Sequence, residues 1–393
     1  MISVGEAKKI IDDAVKPLDP VKVLLQDAWD TTLAEDVFAA QDIPAYPQSS
    51  MDGYAFSFDD LQEQKQLAIV GESAAGNRNE FTLKANTASR IFTGAAVPDG
   101  ADTVVMQEKV KVENGLLIVE DTAIIRGSNV RPSGSEIKKD DLALSRGSYL
   151  SASALGFLAG IGISRVEVHP KPVITIIVTG NELKTIGEPL QYGEVYESNS
   201  FALTAALKQF HLIPHKIVKA EDDAAELKRI METALEESDM VLLTGGVSVG
   251  EYDFVTRVLR ECGVITLFHK IKQRPGKPLF FGMIDEKVIF GLPGNPSSVL
   301  TCFYEYVIPA IGKITNGHQQ LITLKAPLAA PFKKMIPFTQ FLKGYYDGNA
   351  VMPLASQESY KMNSFAVSNC LIVLEETDEE CRKGDIKEIH LII

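Results

Sequence analysis

The sequence is poor in cysteine and contains a single tryptophan among its 393 residues. None of the four cysteines forms a C-x-x-C pair, so their scatter favours reduced thiols over a disulfide framework. Long apolar runs are also missing, because a run such as "VITIIV" at 173–178 is far below the ~18 residues needed to span a bilayer. We therefore expect a cytoplasmic protein with no membrane span.

Positive charge is scarce relative to negative charge. Lys and Arg number 39 against 52 Asp and Glu, which leaves a formal net charge of −13. This balance argues against nucleic acid or an anionic membrane surface as a partner. It still allows a local basic pocket that binds a small anion.

Two common site signatures are missing as well. The sequence has no H-E-x-x-H zinc motif and no G-x-x-x-x-G-K-[ST] phosphate loop. His211 and His215 are four residues apart, but Pro214 breaks the helix that would align them on one metal ion.

Periodicity and turn signals divide the first part of the chain. Apolar residues recur at helical spacing over 2–17, and 21–38 suits a second helix. Short β-branched segments follow from 54 to about 140, with "ENG" at 113–115 as a hairpin signal. Residues 151–163 return to a helical pattern.

From residue 172 onward, predicted strands and helices alternate. "PVITIIVTG", "LIPHKIVKA" and "MVLLTGG" are typical of buried strands, and helical patterns stand between them. Such alternation predicts a multidomain α/β protein whose doubly wound domain has a parallel sheet covered on both faces. After a polar linker at 316–320, short strands predict a small all-β domain. The predicted divisions are N-terminal helices at 1–38, an inserted β-rich domain at 39–140, a helical return at 141–170, the α/β domain at 171–315 and the C-terminal domain at 316–393.

Ligands of a doubly wound sheet bind beyond the carboxyl ends of its strands. Three acids follow such ends, namely Glu182, Asp222 and Asp253. Hard carboxylate oxygens together with ligand phosphates are what Mg²⁺ selects. The alternatives are a solvated loop residue for Glu182 and a helix N-cap for Asp253.

Glycines and cations accompany these acids. The stretch "TGGVSVGEYD" at 244–253 is rich enough in glycine to bring backbone N–H groups close to an anion, or simply to form a tight turn. Arg274 and Lys277 flank a Pro-Gly turn, either as an anion clamp or as solvated charges. "LPGNPSS" at 292–298 predicts either a Pro-capped helix or an anion site at a helix start.

Six motifs in order resemble the molybdopterin molybdenumtransferase family, whose eukaryotic relatives include the E domain of gephyrin and the plant molybdenum-cofactor protein. The motifs are "SSMDGYAF" (49–56), "IFTGAAVPDGADTVV" (91–105), "TGNEL" (179–183), "TGGVSVGEYD" (244–253), "RPGKPL" (274–279) and "GLPGNPSS" (291–298). The resemblance runs from about residue 2 to residue 393.

The resemblance implies a transferase that inserts molybdate into molybdopterin during molybdenum cofactor biosynthesis, taking adenylylated molybdopterin with Mg²⁺ and releasing AMP. It implies a helical linking segment, an inserted β-rich domain, a molybdopterin-binding α/β domain and a C-terminal β-barrel. It also implies a homodimer, in which the "SMDGY" loop of one subunit reaches the α/β site of the other. Contacts with other proteins of molybdenum cofactor biosynthesis would follow.

Site residues carry over position by position. The resemblance assigns catalytic roles to Asp52, Thr93, Glu182, Asp222 and Asp253, the last three also as Mg²⁺ ligands. It places a second set near the pterin phosphate or molybdate. This set comprises Gly245, Gly246, Ser248, Gly250, Lys270, Arg274, Lys277, Pro293, Asn295, Pro296 and Ser298.

The chain departs from the family pattern in places. Glu136 stands where Asp is usual, and Arg274 stands where Lys is common. In "FTQFLKG" at 338–344, Phe338 and Lys343 replace two arginines, so we expect Lys343 and Ser364 to substitute in binding the oxyanion.

Two other functions are compatible with the same α/β domain. A molybdopterin adenylyltransferase is usually that domain alone, with G-G-T-G in the glycine loop. A non-enzymatic scaffold like gephyrin would tolerate loss of the acids, all of which are present here.

Overall fold

The computed structural model describes residues 1–76, 82–246, 254–317, 321–334 and 337–392, with residue 254 described by its backbone alone. The chain forms two compact units. The larger unit comprises Met1–Lys22, Asp30–Ala34 and Glu167–Ile393, and the smaller unit comprises Val23–Trp29 and Glu35–Val166.

The helices and strands follow each other in chain order. The helices are α1 (Val4–Ala14), α2 (Phe58–Glu63), α3 (Ala152–Gly160), α4 (Asn199–Gln209), α5 (Ala224–Glu237), α6 (Phe254–Glu261), α7 (Pro296–Cys302), α8 (Ile308–Ile314) and α9 (Met362–Phe365). The strands before residue 170 are β1 (Val21–Leu24), β2 (Thr32–Leu33), β3 (Val37–Phe38), β4 (Gln48–Ser49), β5 (Gly53–Phe56), β6 (Gln66–Ser73), β7 (Thr87–Ile91), β8 (Thr103–Met106), β9 (Val110–Glu113), β10 (Leu116–Val119), β11 (Val130–Arg131), β12 (Leu142–Leu144) and β13 (Arg165–His169). Those after it are β14 (Ile174–Thr179), β15 (Leu183–Lys184), β16 (Val195–Tyr196), β17 (Lys216–Ala220), β18 (Met240–Thr244), β19 (Ile265–His269), β20 (Gln273–Arg274), β21 (Phe280–Ile284), β22 (Lys287–Leu292), β23 (Ile322–Pro327), β24 (Phe332–Lys333), β25 (Thr339–Tyr346), β26 (Val351–Pro353), β27 (Cys370–Leu374), β28 (Glu380–Cys381) and β29 (Ile386–Leu391).

The larger unit is built on a six-stranded sheet with the order β17-β14-β18-β22-β21-β19. Its first four strands are parallel, β21 runs antiparallel to β22, and β19 pairs antiparallel with β21. The adjacent strands β21 and β22 form a hairpin. The sheet is therefore mixed, with a parallel half that carries the predicted ligand-binding loops.

Side chains of this sheet alternate between two apolar cores. On β14, Ile176 and Val178 face a core formed with α1, α4, α7 and α8, whereas Ile177 faces a core formed with α5 and α6. A strand with this period of two buries both faces only when helices cover each of them. The covered sheet confirms the prediction of a doubly wound α/β domain. No helix of the described ranges is both long and apolar enough to cross a bilayer.

A second sheet occupies the C-terminal part of the larger unit. Its strands run β20-β25-β27-β29-β23, with β26 also paired to β25. The short strand β20 belongs to the α/β region in sequence, and its Gln273 and Arg274 pair with Thr339 and Gln340 of β25. The C-terminal sheet therefore holds the segment that leads into "RPGKP".

The smaller unit contains the predicted β-rich region. Its main sheet has the order β8-β5-β7-β6-β10-β9 around a core that includes Phe56, Leu67 and Leu117. Asn114 and Gly115, with φ of 51° and 76°, form the two-residue turn between β9 and β10. Positive φ at both central residues is what a type I′ hairpin requires, so the "ENG" prediction is confirmed.

The helix expected over 21–38 is wrong, and the N-terminal region 1–38 holds α1 followed by short strands. Asp30 has φ of 60°, which interrupts any helix there. Leu33 pairs with Val168 of β13, so a partner more than a hundred residues away determines the conformation. The helix α1 itself begins at a capping box formed by Ser3 and Glu6.

A buried ionic cluster connects α1, the π-helical turn at Phe303–Val307 and β29 within the larger unit. The fully buried Glu305 accepts hydrogen bonds from Lys8 Nζ at 2.7 Å and from His390 Nδ1 at 2.6 Å. His390 Nε2 lies 3.0 Å from Glu388 Oε1. Burial alone would raise the pKa of Glu305, but the charge of Lys8 and the contact with His390 outweigh it, so this pKa is lowered. Burial alone would lower the pKa of His390, but the hydrogen bond and charge of Glu305 raise it.

The loops at the carboxyl edge of the first sheet approach so closely that one position excludes a side chain. Gly245 has φ of 89°, and a Cβ at this position would lie 2.2 Å from the carbonyl oxygen of Thr179 on the neighbouring strand. Gly294, in the loop after β22, is different, since the nearest atom to its Cβ position is Gly245 Cα at 4.0 Å.

We expect the stability of the fold to depend on pH through His390. Because the pKa of His390 is raised in the folded state, the protonated ring contributes fully below about pH 6.5, and this contribution is lost as pH rises through the folded pKa. Urea unfolding across this range should show a decline that His390→Asn removes. The exposed His215, changed to Asn, is the control and should leave the decline intact. A His390→Asn variant with the wild-type pH dependence would contradict the assignment.

We expect Gly245→Ala to destabilise the protein by more than about 1 kcal/mol, because the backbone conformation and the contact with Thr179 both oppose a Cβ. Gly294→Ala is the matched control and should change the free energy of unfolding by less than roughly 0.5 kcal/mol. Equal stability of the two variants in urea would show that the close approach is not a constraint.

Candidate functional site

Four loops leave the parallel half of the α/β sheet at one edge. They follow β14, β17, β18 and β22, whose pairing in register brings their carboxyl ends together. Glu182 follows β14 and Asp222 follows β17, its direct neighbour, so the structure brings these two predicted acids into adjacent loops. Both side chains are exposed and accessible to a ligand.

Asn181 links the two acidic loops. Its backbone N–H donates to Asp222 Oδ2 at 3.2 Å, and its side-chain Oδ1 accepts from the N–H of Asp222 at 3.0 Å. This reciprocal pair fixes the loop after β14 against the loop after β17. Asp222 therefore has one carboxylate oxygen held by the backbone, while its charge remains at the surface.

Glu182 folds back over the glycine at the end of its strand. A Cβ at position 180 would lie 2.8 and 2.9 Å from the two carboxylate oxygens of Glu182, and Gly180 has φ of 141°. Glycine adopts this backbone conformation readily, and it leaves the space over position 180 open to the carboxylate. The glycine of "TGNEL" therefore permits this position of the acid.

The donor set of this edge suits a hard cation. Glu182 and Asp222 offer carboxylate oxygens, and Mg²⁺ is usually held by one or two carboxylates with water and substrate phosphate. Within the described ranges, no group of three His, Cys, Asp or Glu side chains could hold a metal ion on its own. The predicted third acid, Asp253, lies outside the described residues.

The glycine loop is described only at its beginning. Gly245 and Gly246 both have positive φ, 89° and 63°, and Gly246 lies against Val255 of α6. The other predicted members of this loop, Ser248 and Gly250, lie outside the described residues.

The loop "LPGNPSS" is occupied with internal contacts. Pro296 begins α7, and the N–H of Ser298 donates to the carbonyl of Asn295 at 2.9 Å. Ser297 donates from its N–H to the carbonyl of Ser359 at 3.2 Å, and Asn295 Nδ2 donates to Ser359 Oγ at 3.0 Å. Ser298 is also buried. The predicted Pro-capped helix is therefore present, and the backbone N–H groups at its start have protein acceptors. Pro293 lies buried in the same loop.

Three cations lie on or just before the turn of "RPGKP" at 274–278. Arg274 and Lys277 are exposed, Lys270 is half-buried, and main-chain hydrogen bonds from Lys270 to Leu279 and from Ile271 to Lys277 hold the turn closed. These cations are therefore carried by one rigid segment.

The anchor beneath that turn is buried and polar. Gln273 Nε2 donates to the carbonyl of Pro275 at 3.0 Å, and Tyr306 OH donates to Gln273 Oε1. A Cβ on Gly276 would lie 2.5 Å from Cys302 Sγ. Residues of α7 and of the π-helical turn after it thus pack beneath the exposed cations.

Lys343 and Ser364 lie in the interior of the C-terminal region. Lys343 Nζ donates to the carbonyls of Glu358 and Lys361 at 3.2 and 3.0 Å, and Ser364 Oγ donates to the carbonyl of Ser356 at 2.8 Å. Burial lowers the pKa of Lys343. Both side chains support the segment 356–361, and this segment carries Ser359 to the start of α7.

Asp52 and Thr93 are brought together in the smaller unit, although they stand 41 residues apart. Asp52 Oδ1 accepts from the N–H and from Oγ1 of Thr93, each at 2.8 Å. The hydrogen bonds from Thr93 lower the pKa of Asp52, and the charge of Arg90 adds to this effect. Asp52 is exposed, so it presents an ionised acceptor to the surface.

The sequence did not lead us to the residues that hold the acidic loops and the cationic turn in place. Asn181 stands inside the quoted motif "TGNEL", where its polar side chain beside Glu182 was a usable signal. Gln273 and Tyr306 carried none, because their partners are distant in the chain.

Models of three protein families match successive parts of the chain. They are described as the MoeA N-terminal region (domain I and II) at residues 2–162, a probable molybdopterin binding domain at 175–313, and the MoeA C-terminal region (domain IV) at 325–392. Their order matches the helical and β-rich, α/β and C-terminal parts described above.

Curated relatives match over almost the whole length. A molybdopterin molybdenumtransferase of Haemophilus influenzae is 34% identical, with 99% of this chain and 98% of the relative covered. One of Staphylococcus epidermidis is 33% identical, with 99% and 95% covered. A crystal structure of the molybdopterin biosynthesis MoeA protein from Pyrococcus horikoshii OT3 superposes with a TM-score of 0.78 at 29% identity, covering all of both chains. This chain therefore belongs to the molybdopterin molybdenumtransferase family.

Proposed function

We propose that this protein transfers molybdenum from molybdate to molybdopterin in molybdenum cofactor biosynthesis. The observation that carries the proposal is the match, over nearly the full length of both chains, to relatives that are named for this reaction. The adjacent acids Glu182 and Asp222 and the anchored cationic turn supply the charges that an oxyanion and a phosphate ester need.

The substrate we propose is adenylylated molybdopterin, which is consumed with release of AMP. Lys270, Arg274 and Lys277 bind the anionic groups, because a planar guanidinium and point-like ammonium groups replace the water around a phosphate or a tetrahedral molybdate dianion. Gly245 and Gly246, with Ser248 and Gly250, let the backbone approach the ligand closely.

Glu182, Asp222 and Asp253 are the residues that would hold Mg²⁺. The bound ion would spread the negative charge of the phosphoanhydride as AMP leaves. The chain itself holds the two acidic loops together, since the Asn181 bridge fixes one carboxylate oxygen of Asp222. Carboxylates held in advance need no reorganisation when substrate binds.

For Lys343 and Ser364 we propose a supporting role in place of direct contact with the oxyanion. Both donate to carbonyls of the segment 356–361, whose Ser359 receives the N–H of Ser297 and the side chain of Asn295. They would thus set the position of "LPGNPSS", with Pro293, Pro296 and Ser298 shaping that loop.

Several larger-scale features belong to the same proposal. Asp52 and Thr93 act on the α/β site of a partner subunit in a homodimer, located in the cytoplasm. The division at residues 38, 140, 170 and 315 separates the functional domains, with the linking segment formed by 1–38 and 141–170. The C-terminal strands close into a barrel, which the bridge between Leu328 and Val351 supports. Contacts with other proteins of molybdenum cofactor biosynthesis would deliver the substrate.

The direct test is an AMP-release assay with adenylylated molybdopterin, Mg²⁺ and molybdate. We expect AMP only when all three are present with the protein. Absence of AMP with the complete mixture would refute the proposed function.

We expect Asp222→Asn to lower AMP release by roughly a hundredfold, because it removes a charge from the acidic edge while keeping an oxygen for the N–H of Asn181. Asp223→Asn is the matched control. Asp223 caps α5 by accepting from the N–H of Glu226, and Asn caps a helix equally well, so this variant should keep wild-type activity. Equal activity of the two variants would remove Asp222 from the site.

A further inference from the structure

A closed set of hydrogen bonds surrounds Asp52 in the smaller unit. The carbonyl of Asp52 accepts from the N–H of Gln107 at 3.1 Å, and Gln107 Oε1 accepts from Arg90 Nη2. Arg90 Nη1 donates back to the carbonyl of Gly53 at 3.2 Å. Together with the two hydrogen bonds from Thr93, these contacts hold the backbone carbonyl of Asp52 and one of its carboxylate oxygens.

Arg90 is held between two aromatic rings at the centre of this set. Its guanidinium carbon lies 5.0 Å from the ring centroid of Tyr54 and 5.1 Å from that of Phe92. Tyr54 is its direct partner on the neighbouring strand β5, and Phe92 follows β7 just before Thr93. A planar guanidinium can stack on a ring and donate in two directions at once, which an ammonium group cannot do.

The backbone next to Asp52 is closely packed in the sheet. A Cβ on Gly53 would lie 1.8 Å from the carbonyl oxygen of Val105, since β5 is enclosed between β7 and β8. The position of Asp52 is therefore determined by the sheet on one side and by Arg90 and Gln107 on the other.

We infer that Arg90 is a positioning residue for the reaction, which holds the backbone that carries the Asp52 carboxylate through Gln107 and Gly53. This inference rests on the proposed function, because it assumes that Asp52 acts on the substrate. Two further acids of the described residues lie beside this set, Glu72 opposite Arg90 on β6 and Glu108, which accepts from Gln107 Nε2 at 3.1 Å. Arg90 is thus a cation placed among acids.

The test compares Arg90→Gln with Arg90→Lys in the AMP-release assay across pH. Arg90→Gln removes the positive charge and the paired guanidinium hydrogen bonds to Gln107 and Gly53. We therefore expect kcat to fall by roughly tenfold or more, and the acid limb of the kcat–pH profile to move to higher pH. Arg90→Lys keeps the charge, so we expect a lower kcat with the acid limb near its wild-type position. A role in stability alone would leave the acid limb unmoved in both variants.

Arg126 provides a matched control in the same unit. It also pairs with acids, Asp59 and Asp102, and lies 5.7 Å from the ring of Phe58, but it makes no contact with Asp52 in the described structure. We expect Arg126→Gln to keep the wild-type kcat and pH profile. A change equal to that of Arg90→Gln would show that loss of any such arginine is responsible and would overturn the inference.

Asp52→Asn separates this inference from the proposed function. If Asp52→Asn is inactive while Arg90→Gln and Arg90→Lys keep both kcat and the acid limb, the role of Arg90 is refuted and the proposed function stands. If Asp52→Asn retains full AMP release, the assumed role of Asp52 fails and the inference fails with it. Should Arg90→Gln not fold by circular dichroism, Arg90→Lys decides alone, and a wild-type kcat in that variant would refute the proposal.

Discussion

The parallel pairing of β14 with β17 and β18 is the constraint on which the rest of the structure depends. Parallel strands end at the same edge, so the loops that follow them converge without any further instruction. The convergence is tight, as the contact between Gly245 and Thr179 shows. Glu182 and Asp222 become neighbours because their strands are neighbours, and Asn181 converts this proximity into a fixed geometry.

The acids of the protein are held in contrasting ways that suit different tasks. Asp52 has an oxygen bound twice by Thr93, which lowers its pKa and keeps it a stationary acceptor. Glu182 and Asp222 are exposed and able to bind a cation. Glu305 is fully buried, and it remains ionised only because Lys8 and His390 compensate its burial. Its task is structural, since it connects three elements of the larger unit.

The cationic turn shows how an exposed site depends on a buried support. Arg274 and Lys277 reach solvent, whereas Gln273 beneath them is buried and bonded to Pro275 and Tyr306. A buried amide without partners would cost about 1–3 kcal/mol, so these hydrogen bonds restrict the turn to one conformation. The same principle holds at the start of α7, where Ser359 occupies groups that the sequence had suggested for an anion.

Local patterns were sufficient to predict most elements and the edge of the sheet where the loops of Glu182 and Asp222 meet. The strands and helices of 172–315, the hairpin at "ENG" and the alternation that implies a covered sheet all depend on residues close together in the chain. The helix prediction for 21–38 failed because part of this segment pairs with β13 as a strand. The burial of Lys343 and Ser298 could not be predicted in this way, because the sequence shows a side chain's chemistry but not its surroundings.

The sequence by itself thus determined which segments become strands and helices and which acids, cations and glycines stand at their ends, since periodicity and turn chemistry are local properties. Only the tertiary structure decided which of these groups remain accessible and which are used as internal support. That decision depends on partners such as Asp222 for Asn181, Tyr306 for Gln273 and Gln107 for Arg90, which the folded chain brings together across long separations in sequence.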